Sequence, residues 1–249
     1  MFYNYKYEKK KKKHYFQKAA SLNHLSLLNN GYYCGEAMKY THEDRVGIPV
    51  PLYHCFGMVI GNLACVTHGS TMVLPDQAFN PVATMDAVEK ERLTSLYGVP
   101  TMFIACLREQ EINPRKVSTL RTGVVAGSLC PPDLMRKIID VLGITQMTNC
   151  YGMTETSPVS FQLPMDASFE QRTRTVGQVH PHVEAKIVDV STERILPRGE
   201  MGELLTRGYV VMQGYWGDKA ATEKAITPSG WMRTGSEITD RLNIANAHS

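Results

Sequence analysis

Within Tyr151-Gly152-Met153-Thr154-Glu155 an aromatic ring, a glycine, a hydroxyl and a carboxylate stand side by side. Each has a use on a nucleotide. The tyrosine offers a stacking face to a base, and the glycine lets backbone approach a ligand closely. The threonine hydroxyl can bond a phosphate oxygen, and the glutamate can hold Mg²⁺ beside it. The same string also reads as a strand-to-loop turn with polar residues facing water, and these residues alone leave both readings open.

Two further groups have chemistry to offer. His54 closes Pro51-Leu52-Tyr53-His54 after an apolar run. A lone histidine there is either a satisfied structural residue or a ring presented to a pocket. Ser128, in Ala126-Gly127-Ser128, is placed to cap a helix starting at Pro131-Pro132-Asp133, or to face a ligand.

The elements that must position these residues alternate. Residues 46–50, 71–74, 122–125 and 146–150 predict strands, with 46–50 and 71–74 expected to be buried. A helix is expected near 56–66, and Asn80-Pro81 opens another as cap and first-turn proline. Met135, Ile138, Ile139 and Leu142 recur at helical spacing after Pro132. Alternating β and α with apolar strands predicts an α/β fold, a parallel sheet flanked by helices. After Gly177 the pattern changes to short strands at 183–190, 202–207 and 209–215, then a short helix over 218–226. The expected organisation is a lysine-rich leader (1–17), an α/β part (18–180), a small β-barrel-like subdomain (181–240) and a tail (241–249).

Composition narrows the classes. At 43% hydrophobic residues, 249 residues can bury a large core. Seven Lys and one Glu in residues 1–18 carry +6 of the formal charge, so the remainder sums to −3 and offers no global attraction for nucleic acid. The lysine run itself reads as a basic arm for RNA or anionic membrane, or as a disordered leader. Six cysteines without a C-x-x-C pair argue against a zinc site and for free thiols. No apolar run reaches membrane-spanning length.

Taken in order, several blocks resemble the adenylate-forming superfamily, which includes acyl-CoA synthetases, and within it the mitochondrial-type medium-chain enzymes. They are Pro51-Leu52-Tyr53-His54-Cys55-Phe56-Gly57, Tyr97-Gly98-Val99-Pro100-Thr101, Val124-Val125-Ala126-Gly127-Ser128, Tyr151-Gly152-Met153-Thr154-Glu155, Gly202-Glu203-Leu204 with Arg207-Gly208, Gly214-Tyr215-Trp216, and Trp231 leading into Thr234-Gly235. The resemblance implies part of that superfamily's N-terminal domain. It also implies AMP-forming activation of a fatty acid, using ATP, Mg²⁺ and coenzyme A, in a mitochondrial setting. On it, Thr154 meets the α-phosphate, Glu155 binds Mg²⁺, and Tyr151 with Gly152 takes one side of adenine. Ala126, Gly127 and Ser128 take the other side, and His54 stands near the acyl carboxyl. Tyr97-Gly98-Val99-Pro100 shapes the acyl tunnel.

The resemblance also sets expectations that this sequence departs from. A Ser/Thr/Gly-rich phosphate loop is expected before Lys18, yet residues 1–17 contain no Gly, Ser or Thr. The ribose-binding aspartate of a Thr-Gly-Asp motif is replaced by Ser236, followed by Glu237. The C-terminal lid carrying the family's adenylation lysine is expected to be absent from this chain, which ends at Ser249. Together these lead to an expectation of impaired catalysis, with a non-catalytic nucleotide- or acyl-binding module as the alternative.

Overall fold

A computed structural model describes residues 18–128 and 130–238. The leader 1–17 and the tail 241–249 lie outside the described residues. The chain opens with β1 (Ala20–Ser21) and α1 (His24–Ala37). Asn23 starts that helix by accepting the Ser26 backbone N–H at 2.8 Å. Next come β2 (Arg45–Gly47), a π-helical stretch over Phe56–Leu63, α2 (Ala64–His68) and β3 (Thr71–Val73). The alternation continues through α3 (Pro81–Lys90), β4 (Ser95–Gly98), α4 (Pro100–Ile112), β5 (Thr122–Val125), α5 (Pro132–Leu142) and β6 (Gln146–Gly152). A 3₁₀ turn at Thr154–Thr156 leads to β7 (Val159–Gln162), α6 (Phe169–Arg174) and β8 (Gln178–Val179). The last elements are β9 (Val183–Val188), β10 (Gly202–Gly208), β11 (Gly214–Tyr215), α7 (Lys219–Ala225) and β12 (Met232–Ile238).

The main sheet has the order β3-β2-β4-β5-β6-β7-β8. Strands β3 to β6 are parallel, and β7 and β8 run antiparallel to the neighbours before them. Neighbouring residues on a strand point to opposite faces, and both faces here are covered. Leu96 and Val125 join one core with α3, α4 and α5, while Tyr97 and Val124 join another with α1 and the π-helical stretch. The expected α/β architecture is therefore present, with helices on both sides of a largely parallel sheet.

Several local expectations change. The strand expected over 46–50 ends at Gly47, and β3 is an edge strand with Thr71 exposed and Met72 and Val73 half-buried. The C-terminal β-rich unit is, among the described residues, an open three-stranded sheet of order β12-β10-β9 rather than a barrel. Of the strand expected over 209–215, only Gly214–Tyr215 pairs, and its partner is β1. The rest of that segment is tied to other elements. The Val210 carbonyl accepts from Ser157 Oγ (2.7 Å), and the Met212 N–H donates to the Glu155 carbonyl (2.9 Å).

Candidate functional site

In the sheet register Gly98 lies beside Val125, and Val125 beside Asn149. The segments leaving β4, β5 and β6 therefore emerge along one edge. In open parallel sheets that carboxyl edge is where ligands bind. Loop 126–128, the Val99-Pro100 start of α4 and the motif after β6 all arise there.

Gly152 is required by space. A Cβ at this position would stand 1.7 Å from the Pro158 carbonyl oxygen, so no side chain fits without moving the backbone. The turn that follows is held by Thr156, whose Oγ1 accepts the Met153 N–H at 3.0 Å and lies 2.8 Å from the Pro158 carbonyl. That fixes Thr154 and Glu155 on the intervening turn. Glu155 is 1% exposed, and its Oε1 accepts the Tyr215 hydroxyl at 2.8 Å. Burial and then the Glu155 carboxylate raise the Tyr215 phenol's pKa, so it stays a donor. The Lys18 ammonium lies 5.0 Å from the centre of the Tyr215 ring, which brings a cation to the same corner. Neither Tyr215 nor Lys18 was assigned to this carboxylate from sequence. Tyr215 is 60 residues away from Glu155, and no local spacing reports such a bond.

Thr154 lies beside Cys55, joining the motif after β6 to the segment of His54. Burial raises the Cys55 thiol's pKa and the Thr154 hydroxyl acts against it. His54 is solvent-exposed, and its Nδ1 accepts the Phe56 backbone N–H at 3.1 Å as the π-helical stretch begins. Nδ1 is therefore the unprotonated nitrogen and Nε2 carries the hydrogen. Partial burial holds the imidazole below its ordinary pKa of 6.5. Gly57 permits this tight entry, since a Cβ there would meet the Pro51 carbonyl oxygen at 2.4 Å.

Ala126 is buried with Val50, Phe56, Tyr97 and Met165, and Leu52, Val99 and Cys150 pack on the same cluster. Gly127 turns the chain with φ +87°, and both Gly127 and Ser128 are exposed. Ser128 does not cap α5. Pro131 occupies that position, with no side-chain cap bond. Tyr151 is half-buried, and its hydroxyl donates to Ser236 Oγ at 2.8 Å.

For Mg²⁺ the donor set is small, with no group of three or more His, Cys, Asp or Glu side chains suited to a metal among the described residues. A single carboxylate still fits this ion, which is commonly held by one or two carboxylates together with substrate phosphates. Glu155 is the carboxylate of the motif.

Residues 16–216 match the AMP-binding enzyme family. The chain belongs to this family. It is 48% identical over 220 residues to YngI of Bacillus subtilis, covering 88% of this chain and 40% of that protein. It is 43% identical over 221 residues to the mitochondrial medium-chain acyl-CoA ligase ACSF2 of Danio rerio, covering 88% of this chain and 36% of the relative. The acyl-CoA ligase sidI of Aspergillus fumigatus is also 43% identical, over 224 residues and 38% of its length. The chain thus spans 36% to 40% of the length of these relatives. ATP-bound MatB from Rhodopseudomonas palustris superposes with a TM-score of 0.79 at 26% identity, over 92% of this chain and 44% of that one. The long-chain-fatty-acid-CoA ligase FadD1 of Archaeoglobus fulgidus shares the fold, with a TM-score of 0.81 at 23% identity over 92% of this chain and 48% of that one. Membership in the adenylate-forming superfamily, expected from the motif order, is borne out. No helix among the described residues is long and apolar enough to cross a membrane.

Proposed function

We propose that this chain supplies the nucleotide- and acyl-binding part of an AMP-forming acid–CoA ligase acting on a fatty acid, of medium chain length by its relatives. The observation that carries this reading is the convergence at one sheet edge of the Tyr151–Glu155 motif, loop 126–128 and the Cys55–Thr154 contact beside His54. In the proposed first step a carboxylate oxygen attacks the α-phosphorus of ATP, and the bond to pyrophosphate breaks. In the second the thiol of coenzyme A attacks the acyl carbon, and AMP leaves. Charge develops on phosphate and carbonyl oxygens in both, so the protein's part is positioning and electrostatic stabilisation.

Each residue then has a task. Tyr151 and Gly152 take one side of adenine, and Ala126, Gly127 and Ser128 take the other. Thr154 donates its hydroxyl to an α-phosphate oxygen. Glu155, oriented by Tyr215, would hold Mg²⁺, which supplies charge neutralisation on the phosphates when bound. His54, with its hydrogen on Nε2, donates to the substrate carboxyl and does not act as a base. The proposed compartment is mitochondrial, on the relatives so named; the Bacillus relative marks this as a property of some members only. A non-catalytic binding module is the second reading, favoured by serine at 236.

The test is calorimetric titration of the chain with AMP, with ATP and Mg²⁺, and with a non-hydrolysable acyl-adenylate mimic. AMP and the mimic should bind, and Thr154→Val should weaken both by about tenfold, the effect of losing a hydrogen bond to a charged group. Absence of binding by the parent at millimolar AMP would defeat the reading.

A further inference from the structure

Strand β12 does not pair evenly with β10. Glu203 faces Glu237 and Leu205 faces Arg233, so the single residue Leu204 stands against residues 234–236. A bulge of this kind re-aims side chains. This one is pinned at three points. Thr234 Oγ1 donates to the Leu204 carbonyl (2.8 Å) and accepts the Ser236 N–H (3.1 Å), while the Gly235 N–H donates to Glu203 Oε1 (3.0 Å). Gly235, at φ +68°, makes the turn that an L side chain rarely adopts.

What the bulge presents is Ser236, and what it meets is Tyr151. The phenol donates to Ser236 Oγ at 2.8 Å, linking residues 85 apart in sequence. On its other flank the Tyr151 ring meets Phe161 edge-on, centroids 6.0 Å apart, over a small core that includes Leu204 and Ile238. The ring is thus held at its hydroxyl by β12 and packed against Phe161 of β7.

We propose that Ser236 is a positioning residue for Tyr151 and not a ribose ligand: it anchors the phenol, so the β-rich sheet sets the plane of the aromatic platform. The proposal rests on the reading of Tyr151 as the adenine platform. It goes beyond that reading by giving Ser236 a different task and by making the β10–β12 bulge part of nucleotide recognition. A tyrosine lacking its anchor keeps its stacking face but loses its fixed orientation, so the bond acts on ligand affinity through pre-organisation.

The experiment is a double-mutant cycle on AMP binding, with the full chain as parent, Ser236→Ala, Tyr151→Phe and the double variant, followed by calorimetry. Each single change should weaken AMP by about three- to tenfold, and the double variant should be no weaker than either single. Ser236→Thr, which keeps a hydroxyl, should restore most of the affinity, and thermal unfolding of the same set separates binding loss from failure to fold. Additive losses would overturn the proposal. So would Tyr151→Phe leaving AMP affinity unchanged while Ser236→Ala weakens both AMP and ribose 5-phosphate, because Ser236 then contacts the sugar. If the parent itself does not bind AMP, the functional reading falls and takes this inference with it; AMP binding with additive losses removes the inference alone.

Discussion

The two ends of the parallel strands are built to different purposes. At the amino edge Asp44 ties three segments together. It accepts Arg121 Nη2 at 2.7 Å and Nε at 3.2 Å, the Thr94 hydroxyl at 2.7 Å and the Thr41 N–H at 3.0 Å. These partners immediately precede or flank β2, β4 and β5, so the cluster locks the strands in register. At the carboxyl edge His54, Gly127, Ser128 and Gly152 are exposed, and beside the bonds of Thr156 and Ser157 that hold the backbone there, others join single side chains, Tyr215 to Glu155 and Tyr151 to Ser236. One edge holds strands together; the other also holds the proposed functional groups still.

The strongest challenge to that division is Gly152, because it makes the proposed binding edge a stability element as well. With a Cβ at 1.7 Å from the Pro158 carbonyl oxygen, Gly152→Ala must displace the β6–β7 backbone. The expected loss is at least about 3 kcal/mol in urea unfolding. Gly143→Ala, at the end of α5, meets nothing within 4 Å and bears only the left-handed backbone at φ +71°, for about 1 kcal/mol. Equal losses at the two glycines would break the comparison.

Asp44 gives the next largest effect. Asp44→Ala should cost about 2–4 kcal/mol, since it strands the Arg121 and Thr94 donors. The dependence on pH has a definite sign. Burial alone would raise the Asp44 pKa, but the bonds from Thr94, Arg121 and Thr41 outweigh it and lower it from 3.8. The stabilisation is therefore complete above the unfolded value and is lost as pH falls through the lower folded one. Urea unfolding of the parent and Asp44→Asn should differ at pH 7 and converge in strong acid. A gap that persists there would mean that Asp44 acts through packing and not charge.

How far these two edges were legible follows from the range of the interactions. Asn80 does cap α3, accepting the N–H groups of Val82 and Ala83, and Met135, Ile138 and Leu142 are buried as their spacing predicts. Both signals live within a few residues. The antiparallel β7 was not foreseen, although Val-Ser-Phe-Gln alternates over 159–162, because a four-residue strand gives no sign of its direction. Helix α1 was missed too. Its Asn23 cap is readable, but the buried face consists of Ser26, Asn30, Gly31, Cys34 and Gly35 rather than an apolar stripe, with the two glycines set tightly against Leu63 and His68. The motif residues were legible as types in order. The bonds that orient them, Tyr215 to Glu155 and Tyr151 to Ser236, cross 60 and 85 residues and are set by tertiary register. The π-helical stretch depends likewise on a distant group, the Tyr97 hydroxyl donating to the Ile60 carbonyl at 3.1 Å.

His54 offers the smallest effect and the finest test of the carboxyl edge. Its ring is exposed, so solvent screening keeps any contribution to stability below about 0.5 kcal/mol. Partial burial lowers its pKa from 6.5, and protonating Nδ1 would also remove the acceptor that holds the Phe56 N–H. The folded state therefore binds this proton less readily than the unfolded one. The small stabilisation is full above pH 6.5 and declines as pH falls through the lower folded value. An NMR titration should show the His54 ring with a midpoint below 6.5 and the Phe56 amide shifting with the same midpoint. The ring nitrogens should report the Nε2–H tautomer at neutral pH. A midpoint at or above 6.5, or the Nδ1–H tautomer, would show that His54 faces the cleft as an ordinary solvated imidazole, and its proposed role as a neutral donor to the substrate carboxyl would fall.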